Sequence, residues 1–105
     1  MCGIAGYSLF SNDTSSSDWL ASACEQLSHR GPDDAGVYED PEEGVGLIHT
    51  RLSILDPSPL GHQPMLTRNA RVILTFNGEI YNFRELRAEL EEEGVLFCGD
   101  SDTEV

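Results

Sequence analysis

The stretch MCGIAGYSLF (residues 1–10) places a cysteine directly after the initiator methionine, followed by a run of small and apolar residues. The composition of residues 3–10 predicts a buried strand. Removal of an initiator methionine generally requires a small second residue, and Cys2 meets that requirement. We therefore expect a mature chain that begins with Cys2, whose thiol and free α-amino group belong to one residue.

An amino-terminal cysteine can supply a nucleophile and its general base together. An unperturbed α-amino group has a pKa of about 7.7–8.0, so at neutral pH part of it is unprotonated and can accept the thiol proton, directly or through water. Enzymes with an amino-terminal threonine use the same arrangement. The letters MCG alone are a weak signal of this chemistry, because short motifs also occur by chance.

Composition narrows the class of protein. The chain has 105 residues, a length sufficient for one modest domain, and 39% of them are hydrophobic, an ordinary share for a globular protein. Its 19 acidic residues outnumber 6 basic ones, all arginine, and a net charge of -13 argues against nucleic acid and anionic membranes as partners. The three cysteines lack C-x-x-C spacing, and no apolar run approaches the ~20 residues of a membrane span. We expect a cytoplasmic protein without a disulfide framework.

The first half of the chain predicts one helix and several strand-like segments. The helix has an apolar face that includes Cys24, which we expect in the core. HRGPDDAG (29–36) breaks this helix and predicts a loop, and EDPEEG (39–44) predicts an acidic hairpin end. VGLIHTRLSIL (45–55) predicts two short strands or one bent strand. The apolar positions of the helix are Trp19, Leu20, Ala23, Cys24 and Leu27.

The second half contains a well-defined helix. Asn82 can cap it, Glu85 completes a capping-box pattern, and Gly94 is a natural end. One face of this helix carries Phe83, Leu86 and Leu90. These signals predict a helix that begins after Asn82.

The segments on either side of this helix are irregular or strand-like. DPSPLGHQPM (56–65) predicts an irregular loop because it contains three prolines, and RVILTF (71–76) predicts a buried strand. VLFC (95–98) predicts a short strand with Cys98 in the core. GDSDTEV (99–105) predicts a turn and a new helix start, capped by Ser101 or Asp102.

Several polar residues could act on an amino-acid substrate. Asn77 offers an amide donor and Gly78 an unhindered backbone N–H, which together could stabilise an oxyanion. The alternative is a hairpin turn, although a helical pattern follows instead of a matching strand. Arg51 could bind an α-carboxylate through two parallel hydrogen bonds, and Asp102 could pair with an α-ammonium group or simply cap a helix.

The three histidines do not form a metal-binding pattern. His29, His49 and His62 lack close spacing and a companion cysteine pair, so we expect no metal site. A cysteine–histidine hydrolase that uses Cys2 with His29 or His49 remains open, because such partners meet in space and not in sequence.

Six segments together resemble the class II glutamine amidotransferase domain of glutamine-hydrolysing asparagine synthetases. They are MCGIAGY, HRGPDDAG, HTRLSILD, GHQPM, FNGEIYNFRELR and SDTEV, in the family's order from the first residues to the last. The resemblance implies an α+β fold of the amino-terminal nucleophile type, an αββα four-layer sandwich that is incomplete in this chain. Residues 1–105 would be the amino-terminal portion of that domain, without the synthetase domain.

The resemblance also implies a reaction. Cys2 would attack the side-chain amide of glutamine, release ammonia and form a γ-glutamyl thioester, with its own amine as base and then as acid. Asn77 and the N–H of Gly78 would form the oxyanion hole.

The same resemblance implies how glutamine is held. Arg51 would bind the α-carboxylate of glutamine, and Asp102, helped by Glu79, its α-ammonium group. The main chain of one further segment would line the pocket: Leu52, Ser53, Ile54 and Leu55.

Cofactors and partners follow from the family. The resemblance implies no cofactor in this domain, since ATP and Mg would be used only by the absent synthetase domain or subunit that accepts the ammonia to amidate aspartate. The alternative is a noncatalytic truncated fragment or binding module that retains the motifs without a working pocket.

The acid-rich, lysine-free composition predicts adaptation to high salt, where self-repulsion between like charges is screened. The thermal midpoint of the chain should therefore rise as potassium chloride is added. Melting curves followed by circular dichroism over a series of salt concentrations measure this, and a midpoint indifferent to salt would contradict it.

Overall fold

Strand β3 lies at the centre of the main sheet in the computed structural model, which describes residues 1–9 and 16–105. The sheet contains β1 (Gly3–Ser8), β2 (Asp34–Asp40) and β3 (Val45–Arg51), in the order β1-β3-β2. Both outer strands are antiparallel to β3. Helix α1 (Ser16–Leu27) lies between β1 and β2 in the chain. The α+β class is confirmed.

The core lies between α1 and the sheet. Leu20 of α1 and Ile48 of β3 are buried, with 1% and 0% of their surfaces exposed. The hydroxyl of Thr50 donates a hydrogen bond to the carbonyl of Leu27, 3.0 Å away, which ties the end of α1 to β3. A Cβ on Gly3 would lie only 2.6 Å from Thr50 Oγ1, so this close approach of strands and helix requires glycine.

Two predictions about this core are wrong in part. The strand predicted at residues 3–10 exists at Gly3–Ser8, but its side chains alternate and Ile4 is 44% exposed; residue 10 lies outside the described residues. Cys24 is only partly buried. The reason is that α1 packs on one face of the three-stranded sheet, so the outward side of α1 and part of the other face of the sheet stay exposed.

The hairpin between β2 and β3 is confirmed. The carboxylate of Asp40 accepts hydrogen bonds from the N–H groups of Glu42 and Glu43, both at 3.1 Å, and Gly44 turns the chain with a φ of 66°. The loop predicted over residues 29–36 is wrong at its end, because Asp34 already pairs with Arg51. The segment 45–55 forms one strand that ends at Arg51, and its last residues are not a strand.

A short ribbon replaces the buried strand predicted at residues 71–76. Only Ile73–Leu74 forms a strand (β5), paired with Met65–Leu66 (β4), and Val72 is 58% exposed. That prediction is wrong because β-prone residues become buried only where another layer covers them. The proline-rich segment 56–65 is irregular as predicted, apart from one 3-10 turn at Pro59–Gly61 and the start of β4.

Helix α2 (Phe83–Glu92) occupies the predicted position and ends before Gly94, which has a φ of 92°. The predicted capping box is not formed. The side chain of Asn82 makes no capping bond, and its carbonyl accepts the N–H groups of Glu85 and Leu86, at 3.1 and 3.2 Å. No helix in the described part of the chain is long and apolar enough to cross a membrane.

The segment after α2 contradicts three predictions. Residues 95–98 form no strand, Cys98 is exposed, and residues 99–105 form turns instead of a helix. The guanidinium of Arg87 stacks 4.7 Å above the centre of the Phe97 ring and donates to the carbonyl of Gly99 at 2.6 Å. These contacts hold the backbone in an irregular path.

Replacement of Leu20 with alanine should lower the free energy of unfolding by about 2–5 kcal/mol, because it leaves a cavity between α1 and the sheet. Urea unfolding measures the change. The matched control is Leu96→Ala, the same substitution at a side chain that is 71% exposed, which should cost less than about 0.5 kcal/mol. Equal costs at the two sites would show that the core is not where we place it.

Candidate functional site

A cavity of about 410 Å³ collects nearly all the predicted site residues. Ser53 is the one predicted site residue that does not line it. Residues that we did not predict for the site also line this cavity: Met1, Gly61, Gln63, Phe76, Tyr81, Ser101 and Thr103.

The antiparallel register brings Cys2 to this cavity. Gly3 pairs with Thr50, so the residue before β1 lies beside the residues that end β3. The N–H of Leu52 donates to Cys2 Sγ at 3.4 Å, and the thiol lies 3.8 Å from the Leu52 carbonyl. Met1 is 74% exposed at the cavity, so removing it would open the space in front of the Cys2 nitrogen.

The HRGPDD motif, to which the sequence assigned no role, holds the walls of the cavity. Arg30 Nε donates to the carbonyl of Cys2 at 3.1 Å. Asp33 accepts the N–H of Ser53 at 2.8 Å, and Asp34 contacts His62 Nδ1 at 2.6 Å. These bonds position the backbone around Cys2 and the segment after β3. They connect residues about 20 to 30 positions apart, so sequence spacing alone could not reveal them.

Arg51 is buried, with 6% of its surface exposed, at the end of β3. Its Nη1 donates to the carbonyl of Ser58 at 3.1 Å, and its Nη2 donates to the carbonyls of Leu55, at 3.0 Å, and Asp56. A guanidinium carries five N–H groups, so among the described residues these three bonds leave Nε and one Nη1 hydrogen for a ligand. A Cβ on Gly61 would overlap Nη2, so only glycine permits this packing.

The carboxylate of Asp56 joins the loop that Arg51 binds to the carboxyl-terminal segment. It accepts the hydroxyl and the N–H of Ser58, the latter at 3.1 Å, and the N–H of Asp100 at 2.8 Å. The Ser58 hydroxyl, followed by the Asp100 N–H, lowers the pKa of Asp56 below its ordinary value. Glu104 holds the same segment through the N–H groups of Cys98 and Gly99, at 2.6 and 2.7 Å.

This segment delivers Asp102 to the cavity. Asp102 is 6% exposed, and its Oδ2 accepts the N–H of Ile80 at 2.9 Å. The prediction that it caps a helix is therefore wrong. No described residue donates a hydrogen bond to its Oδ1, which is therefore available to a ligand. The neighbouring Ser101 is 4% exposed, and its Oγ has no hydrogen-bond partner among the described residues.

Asn77, Gly78 and Glu79 line the cavity without forming a hairpin. A Cβ on Gly78 would lie 2.7 Å from the ring of Phe76, so only glycine lets the backbone at this position lie so close to that ring. The backbone of Phe76 contacts two buried side chains, His49 and Gln63. Burial is the main cause that lowers the pKa of His49.

Each histidine contacts a group other than Cys2. The ring of His29 contacts the carbonyl of Gln26 at 2.9 Å, that of His49 contacts the carbonyl of Phe76 at 3.1 Å, and that of His62 contacts Asp34. Within residues 1–9 and 16–105, no three His, Cys, Asp or Glu side chains are grouped to hold a metal ion.

The cavity therefore combines a thiol, an amide and N–H pair, a cation and a carboxylate. A thiol beside hydrogen-bond donors can attack a carbonyl group and stabilise the oxyanion that forms. A cation and a carboxylate in the same cavity can bind the carboxylate and ammonium groups of a small amino acid.

Comparison with known proteins gives a family match over the whole chain. Residues 1–105 match the model of the "Glutamine amidotransferase domain" family. The asparagine synthetase [glutamine-hydrolyzing] 1 of Bacillus subtilis is 48% identical over 77% of this chain and 12% of its own length. The putative asparagine synthetase [glutamine-hydrolyzing] 2 of Methanocaldococcus jannaschii is 37% identical over 100% of this chain and 23% of its own. The amidase chry2 of Gibberella zeae is 38% identical over 82% and 13%.

The buried ring of His49 should make folding depend on pH. Its pKa in the folded chain lies below the ordinary 6.5, so its contribution to stability is complete above pH 6.5 and declines as the pH falls toward the folded pKa. Urea midpoints at several pH values between about 7.5 and 5 measure the decline. His49→Gln, which is neutral throughout, should decline less, and equal declines in both proteins would contradict the assignment.

Proposed function

Because this chain belongs to the glutamine amidotransferase domain family, we propose that it hydrolyses the side-chain amide of glutamine to glutamate and ammonia, with Cys2 as the nucleophile. The observation that carries the proposal is the single cavity in which Cys2, Arg51, Asn77 and Asp102 meet, although they come from four separate parts of the sequence. It supplies the groups that the reaction needs.

The chemistry begins with removal of Met1. The freed amine of Cys2 takes the thiol proton, and Sγ attacks the side-chain amide carbon of glutamine. Asn77 and the N–H of Gly78 stabilise the oxyanion, and the protonated amine gives its proton to the departing ammonia. The γ-glutamyl thioester is then hydrolysed by water. The N–H of Leu52 donates a hydrogen bond to Sγ at 3.4 Å and so holds the sulfur atom at the cavity.

The ends of glutamine are bound by opposite charges. The two remaining N–H groups of Arg51 bind the α-carboxylate, and the remaining oxygen of Asp102, with Glu79, binds the α-ammonium group. The main chain of Leu52, Ser53, Ile54 and Leu55 forms the adjacent wall. Burial of Arg51 and Asp102 supports this part of the proposal, because burying a charged group is energetically costly unless a partner or a ligand pairs with it.

The chain spans between 12% and 23% of the length of the curated relatives named above. We place residues 1–105 as the amino-terminal portion of a cytoplasmic amino-terminal nucleophile domain, an αββα sandwich. Its ammonia passes to a synthetase domain or subunit that amidates aspartate and brings its own ATP and Mg sites.

Exposed apolar side chains beside the cavity favour a second candidate, a noncatalytic fragment or binding module. Ile54 and Tyr81 line the cavity and are 67% and 93% exposed. A partner that covers these side chains could be needed before the pocket works.

Intact mass spectrometry before and after treatment with an electrophilic glutamine analogue tests the proposal. We expect loss of Met1 and one adduct, which peptide mapping places on Cys2 and excess glutamine prevents. The other cysteines, Cys24 and Cys98, are internal controls, and Cys98 is the exposed one. Parallel assays should detect ammonia released from glutamine.

Three results would count against the proposal. An adduct on Cys98 in place of Cys2 would contradict the assigned nucleophile. A processed chain that stays unlabelled and releases no ammonia would favour the noncatalytic fragment. Activity that survives a blocked amino terminus would favour a cysteine–histidine hydrolase, since only the proposed mechanism uses the free amine.

A further inference from the structure

The peptide of Phe76 immediately precedes Asn77 and Gly78, and it lies beyond the end of β5 at Leu74. Because Phe76 is outside a strand, its backbone groups need other partners. Two buried side chains provide them. Gln63 Oε1 accepts the Phe76 N–H at 2.7 Å, and His49 Nε2 lies 3.1 Å from the Phe76 carbonyl.

These contacts determine the orientation of both side chains. The carbonyl of Phe76 can only accept, so His49 must carry its proton on Nε2. His49 is 0% exposed, and its Nδ1 has no hydrogen-bond partner among the described residues, so a proton on Nδ1 would have no acceptor and the neutral ring is favoured. The N–H of Phe76 can only donate, so the oxygen of the Gln63 amide must face it.

Gln63 also reaches the opposite wall of the cavity. It is 5% exposed, and its Nε2 lies 3.2 Å from the hydroxyl oxygen of Thr103, the residue after Asp102. One amide group therefore connects the backbone before Asn77 with the segment that carries Asp102.

We propose that His49 and Gln63 are positioning residues, which fix the Phe76 peptide from both sides and so direct the donors of Asn77 and Gly78 toward the oxyanion. The inference rests on the proposed glutamine hydrolysis. Asn77 and Gly78 are exposed, so the packing around them is too sparse to hold them. Neither positioning residue touches the substrate, and each acts through the backbone of Phe76.

Paired substitutions separate positioning from general stability. His49→Gln keeps an N–H group at the position of Nε2, and His49→Met has a similar reach without a donor. Gln63→Glu keeps an acceptor for the Phe76 N–H, and Gln63→Met does not. The conservative member of each pair is therefore the matched control for the other.

The expected result is a loss of turnover that the conservative variants restore. In the methionine variants, kcat for glutamine hydrolysis should fall about 100-fold, the usual effect of losing one oxyanion donor. In His49→Met, KM should stay within about threefold, because Arg51 and Asp102 still bind glutamine. His49→Gln and Gln63→Glu should keep kcat within about tenfold of the unchanged chain. Equal losses within each pair, or a change in KM alone, would overturn the inference.

A second measurement tests the geometry even if the chain releases no ammonia. In ¹⁵N NMR spectra, the ring of His49 should be neutral and protonated on Nε2. The amide hydrogen of Phe76 should be protected from exchange, and exchange about tenfold or more faster in Gln63→Met. Thr103→Val is the control, since it removes the other contact of Gln63 and should leave Phe76 protected.

The two proposals fail in different ways. If the unchanged chain is inactive but His49 and Phe76 show the expected signals, the proposed function fails and the hydrogen-bonded geometry stands. If the chain is active but Phe76 exchanges freely, or His49 carries its proton on Nδ1, the positioning inference fails and glutamine hydrolysis stands.

Discussion

The site depends on the buried guanidinium of Arg51. It is held at the end of β3 and binds three carbonyl groups of the loop that follows, from Leu55, Asp56 and Ser58. Removing a buried cation from water is costly unless its donors find acceptors, so the loop must fold around this side chain. Asp56 then binds the N–H of Asp100, and the loop fixes the segment that carries Asp102. One cation thus organises two walls of the cavity.

The regular strands end before the cavity, so the backbone around it is held by hydrogen bonds from side chains. Gln63 and His49 bind the Phe76 peptide, Asp33 binds the N–H of Ser53, and Arg30 binds the carbonyl of Cys2. Such bonds are individually worth about 1 kcal/mol, but a buried donor or acceptor left without its partner costs more. The cavity should therefore be sensitive to single substitutions that leave the sheet intact.

Sequence patterns predicted the elements whose signals are local. Helix α2 begins after Asn82 and ends before Gly94 as expected, and β1, β3 and the β2–β3 hairpin were also found. All the residues that the motifs proposed for the site, except Ser53, line one cavity. Hydrophobicity failed at residues 71–76 and at Cys98, because burial depends on which layers cover a segment. The HRGPDD contacts were missed because they connect distant parts of the chain.

A crystal structure of the Cys2→Ala chain, processed at Met1 and bound to glutamine, tests the central claim most directly. We predict that the α-carboxylate lies against Arg51, the ammonium group against Asp102, and the side-chain carbonyl within hydrogen-bond distance of Asn77 and the Gly78 N–H. Glutamine bound elsewhere, or bound here with its α-carboxylate away from Arg51, would contradict the account.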